Sequence, residues 1–116
     1  MKNSFVIEYL NENEFRKKER AVKKYNMLAY KKLVFDFYPA FRDGNFMGVI
    51  VSKNTKDGIT KYELKLPTDR MFAAVHGDVI LHYTVYENQK LVMLDTLTPE
   101  DILTEGHQKE LSTYKG

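Results

Sequence analysis

A chain of 116 residues fits one domain, and 43% hydrophobic with 29% charged residues excludes wholesale disorder. The absence of cysteine excludes disulfides, thiolate metal sites and thiol nucleophiles, and it points to a reducing, cytoplasmic setting. A net charge of +2 neither demands nor forbids a nucleic-acid partner, although cations crowd residues 16–32 while acids dominate Asp95 to Glu105.

Ser4 to Leu10 alternates, with Phe5, Ile7 and Tyr9 on one side, which predicts a strand. The run is short, Glu8 interrupts it and no small-residue cleavage site follows, so it does not read as a secretion signal. Asn11 three residues before Glu14 fits a capping box, and a helix is predicted from about 13 to 30. Its apolar stripe is Phe15, Val22, Tyr25 and Ala29, extended by Leu28. Glu12 to Arg16, Glu14 to Lys18 and Glu19 to Lys23 place acid before base four residues apart, the supportive order. Leu33, Phe35 and Phe37 alternate with Val34, Asp36 and Tyr38, which reads as a strand or as more helix ending before Pro39; the β-rich composition tips the reading to a strand, with a loop from Pro39 to Asn45.

Phe46 to Ser52 and Lys61 to Leu66 are predicted to pair as a hairpin through Asp57-Gly58, with Tyr62, Leu64 and Leu66 inward. Thr68 and Asp69 are positioned to cap a short helix through Val75. Val79 to Tyr86 and Leu91 to Leu97 form a second predicted hairpin. Thr98-Pro99-Glu100-Asp101 predicts a short C-terminal helix stopped by Gly106. The expected fold is α+β: an N-terminal strand and amphipathic helix packed on a mainly antiparallel, open or barrel-like sheet, with a short C-terminal helix. One domain is expected over 1–106, followed by a polar, mobile tail at 107–116.

Phosphate loop, nucleophile elbow, zinc-helix and dinucleotide motifs are absent, so no cofactor or metal is expected. Phe72 to Tyr83 is interrupted by polar residues and falls short of the roughly 20 apolar residues a membrane helix needs, so no membrane partner is expected. His76, Asp78 and His82 are the most enzyme-like cluster, since two imidazoles and a carboxylate suit acid–base chemistry. Arg70, His76 and Tyr83 can be cast as a minimal ribonuclease set, although any basic, Tyr-rich domain can be cast so. Arg16, Lys17, Arg20, Lys23 and Lys24 form a basic row, with Lys18, able to track phosphates or dock a protein.

The leading expectation is a non-enzymatic binding or regulatory module acting through protein contacts, in the style of a small accessory or inhibitor protein of a mobile element. A nucleic-acid binder using the helix at about 13–30 is the alternative. A small nuclease or hydrolase using His76 and His82 is the second. The apolar faces of the second hairpin suit a core or a homodimer interface equally.

Overall fold

The computed structural model describes residues 4–99. Strand β1 covers Val6–Tyr9, and helix α1 follows at Glu12–Tyr25. The Asn11 side chain caps α1 by accepting the Glu14 backbone N–H at 3.2 Å, as its spacing predicts. The predicted helix does not run unbroken to residue 30. Asn26 adopts an extended φ of −151°, its N–H closes α1 on the Val22 carbonyl, and its side chain accepts the Ala29 N–H to start α2 at Met27–Lys32. Phe15, Val22 and Ala29 of the predicted stripe are buried, whereas Leu28 is exposed.

The expected strand at Leu33 to Tyr38 is helical. Leu33–Phe37 forms a widened turn in which the Tyr38 N–H bonds to the Leu33 carbonyl five residues back, and α3 continues at Tyr38–Arg42. Proline lacks an N–H and its ring crowds the carbonyl four residues before it, so a widened turn directly ahead of Pro39 accommodates it. Leu33, Tyr38 and Phe41 are buried, and Asp43-Gly44 ends the helix with Gly44 at a φ of 83°. The predicted loop at Pro39–Asn45 is therefore confined to its last residues.

Strands β2 (Val49–Asn54) and β3 (Ile59–Lys65) form the first hairpin. Helix α4 (Arg70–His76), capped by the Asp69 carboxylate on the Phe72 N–H, leads to the second hairpin of β4 (Ile80–Tyr86) and β5 (Leu91–Thr98). The sheet order is β1-β5-β4-β3-β2. β1 runs parallel to β5, and every other neighbour is antiparallel. The sheet stays open, so it does not close into a barrel. The architecture is α+β. The predicted C-terminal helix and the tail lie outside the described residues.

One face of the sheet carries the core. Leu64, Leu81, Tyr83, Val85, Val92, Leu94 and Leu97 alternate inward, under Phe15, Val22, Leu33 and Phe41 of the helices. Each fully buried side chain of this size contributes about 1.5–3 kcal/mol relative to exposure. α1 packs on β1 and β5, and α3 packs beside β1. Beyond β4 the helices give way to the loop before β2, where Phe46 contacts Phe5 and Tyr62. Tyr83 stacks on Tyr62 and ties that loop down, its hydroxyl donating to the Met47 carbonyl and accepting the Met47 N–H. Gly48 then enters β2 at a φ of 112°, and a Cβ there would lie 2.6 Å from the Glu63 carbonyl oxygen.

Candidate functional site

A strand at the border of a sheet directs alternate backbone N–H and C=O groups away from its neighbour, so the two borders are where a further strand can pair. The β1 border is closed by its own chain. It is four residues long, α1 and α3 pack against it, and its entrance is fastened by the Phe5 N–H on the Arg42 carbonyl at 2.9 Å. Among the described residues the β2 border is open. All six of its residues are exposed, with Val49, Ile50 and Val51 at 68, 49 and 56%. A contiguous apolar run normally marks a strand covered on both faces, so three consecutive exposed β-branched residues on a border strand mark a candidate pairing surface.

The register places these side chains. Val49 pairs with Glu63 and Ser52 with Lys61, on the face away from the helices. Ile50 pairs with Tyr62 and Lys53 with Thr60, on the helix side. A bulge lies between Ile50 and Ser52, and Val51 lines a hollow of about 180 Å³ on the helix-free face with Lys61, Glu63, His82 and Asp95. The floor of that hollow is an ordered polar network. Lys61 donates to Thr84, Thr84 donates to Asp95 at 2.8 Å, His82 Nε2 shares a hydrogen bond with Thr98, and His82 Nδ1 lies 3.5 Å from Glu63. Beyond the same end of β3, α4 buries none of its residues and exposes Met71 and Val75.

The enzyme-like cluster is dispersed. His76 ends α4, exposed beside Phe72, Asp78 lies 3.5 Å from Lys65, and His82 sits in the polar network on β4. No hydrogen bond, ion pair or ring contact joins these three among the described residues. Arg70 is at the start of α4, and Tyr83 is fully buried on the opposite face from His82. Burial pushes the Tyr83 hydroxyl up, against the Met47 backbone bond that lowers it, so this phenol is held neutral. No group of three or more His, Cys, Asp or Glu among the described residues is arranged to hold a metal ion.

The basic row is real as a surface. At about 100° per residue, Arg16, Lys17, Arg20, Lys23 and Lys24 fall within roughly 120° of arc on the exposed side of α1. Lys18 does not belong to it, since it is buried and its ammonium donates to Thr96 at 2.7 Å. Arg16 pairs with Glu12 at 2.9 Å, and Lys23 and Lys24 lie over the rings of Tyr30 and Tyr25. Part of this charge is therefore matched within the helix layer.

The open border was not recoverable from sequence. Val49 to Val51 reads locally as half of a hairpin, and which strand ends up outermost is decided by pairing between distant segments. Comparison of the chain with protein-family models, with curated proteins and with solved structures finds no match. No helix among the described residues is long and apolar enough to cross a membrane.

Proposed function

We propose that this protein is a non-enzymatic binding module that captures an extended segment of another protein along β2, adding a sixth strand to its sheet. The observation that carries this reading is the contiguous exposure of Val49, Ile50 and Val51 on a border strand with no neighbour on its outer side among the described residues. Strand addition uses backbone hydrogen bonds for affinity and alternate side chains for selectivity, and β2 offers both. The test is affinity capture with the wild-type protein and with a Val49→Lys, Val51→Lys double variant, since charges on a border strand oppose pairing. Species held by the wild type and lost by the variant, at unchanged circular dichroism, support the reading. Species retained by that variant but lost on charge reversal of Arg16, Arg20 and Lys24 would move the docking surface to α1.

A second reading is favoured by the five cations on one arc of α1: a nucleic-acid backbone lying along that helix. Labelled single- and double-stranded oligonucleotides titrated at about 50 and 200 mM salt test it, because phosphate contacts lose affinity steeply over that range. Absence of binding at the lower salt removes this reading.

A further inference from the structure

β2 is divided along its length. Its first half, Val49-Ile50-Val51, is apolar and its second half, Ser52-Lys53-Asn54, is polar. Lys53 makes no ion pair among the described residues, and neither does Lys56 in the following turn. The only acid in that turn, Asp57, is occupied by the Asn54 side chain, which donates to its carboxylate at 2.9 Å and accepts its N–H. The border therefore presents an apolar half beside a positive half, whose Lys53 shares a hollow with Glu87 without an ion pair between them.

This division decides between occupants. A second copy pairing antiparallel over the full strand would set the apolar half of each copy against Lys53 and its neighbours in the other. Sliding the copies until the two apolar halves face each other leaves a ladder of only three residues. A parallel copy in register would stack Lys53 on Lys53, a like-charge pair that destabilises. The first opposes unlike halves, the second shortens the ladder and the third sets like charges together.

We infer that the occupant is a strand from a different protein, antiparallel to β2, with an acidic residue opposite Lys53 followed by β-branched apolar residues opposite Ile50 and Val49. This rests on the strand-addition reading and names the chemistry it selects. Opposite charges in direct cross-strand pairs stabilise, and like charges destabilise, so Lys53 acts as the selector while the apolar half supplies most of the contact area.

The probes are two fluorescein-labelled peptides differing at one position, with cores Thr-Glu-Thr-Ile-Val and Thr-Lys-Thr-Ile-Val. Binding is followed by anisotropy and by backbone amide shifts of residues 49–54. The Glu peptide is expected to bind about tenfold tighter than the Lys peptide, with shifts centred on β2, and Lys53→Glu is expected to reverse that order. Equal binding of both peptides, with β2 shifts, would overturn the acidic selector and leave strand addition standing. Shifts away from β2, or no binding by either peptide, would overturn both. A dimer in sedimentation that the Val49→Lys, Val51→Lys variant dissolves would make a second copy the occupant instead.

Discussion

β1 and β2 end the same sheet, and both carry β-branched residues, Val6-Ile7 in one and Val49-Ile50-Val51 in the other. In β1, Ile7 and Tyr9 pack toward the core under α1, and the strand is fastened at its entrance by α3. In β2 every residue meets solvent. The difference lies in the chain that follows each strand. The helices begin two residues after β1 and fold back over it, while β2 turns directly into β3 and no helix among the described residues crosses it. Local hydrophobicity therefore did not decide which border was covered; connectivity did.

The sharpest way to break this contrast is to truncate one side chain on each side of it. Phe41→Ala, under the helix layer, is expected to cost about 3–5 kcal/mol in urea unfolding, because it removes a fully buried ring that packs on Tyr83. Ile50→Ala is expected to stay within about 0.5 kcal/mol, as surface changes do. Comparable losses at the two positions would mean that β2 is covered in solution.

Alkali probes the covered half selectively. Burial, and then the charge and hydrogen bond of Glu19, push the Tyr38 hydroxyl far up, and burial does the same at Tyr83. Both folded values lie above the unfolded value of about 10, so the stability they contribute is present below pH 10 and is lost as pH rises beyond it. Urea midpoints at pH 8 and 11 should fall steeply for the wild type and less for Tyr38→Phe. An equal fall in both would place the pH dependence elsewhere.

Asn26→Ala is expected to cost about 1 kcal/mol. Its side-chain oxygen accepts from Ala29 at the start of α2 and from Asp69 just before α4. Hydrogen exchange should quicken at both amides together, and a change at Ala29 alone would limit Asn26 to a helix cap. The smallest effect is expected from Lys32→Ala, which removes an exposed pair with Asp36 and should change stability by less than about 0.5 kcal/mol.

Much of the fold was legible because it is local. The alternation of Lys61 to Leu66 and of Val79 to Tyr86, the Asp57-Gly58 turn and the Asn11 cap all reappear in the structure. Residues 33–42 misled because alternation and a proline mimic a strand and its end. The spacing that carried the answer was Leu33, Phe37 and Phe41, four residues apart and ending beyond Pro39. The site was less legible still. The apolar run at Val49 is visible in sequence, but its exposure follows from the strand order, which no local pattern encodes. The cations of α1 were visible, and only the structure separates the buried Lys18 from the exposed five.

The widened turn at Leu33–Phe37 fixes a rotational phase for the chain beyond it. A helix advances about 100° per residue, so one residue more or less in this turn would swing α3 by about that angle. Phe41 would then leave the ring of Tyr83, and the Arg42 carbonyl would leave the Phe5 N–H that closes the covered border. The exposed side chains of the turn, Phe35 and Asp36, can vary in kind without that consequence. What this segment holds constant is its count of residues, and a single deletion there would open the one border that the protein keeps shut.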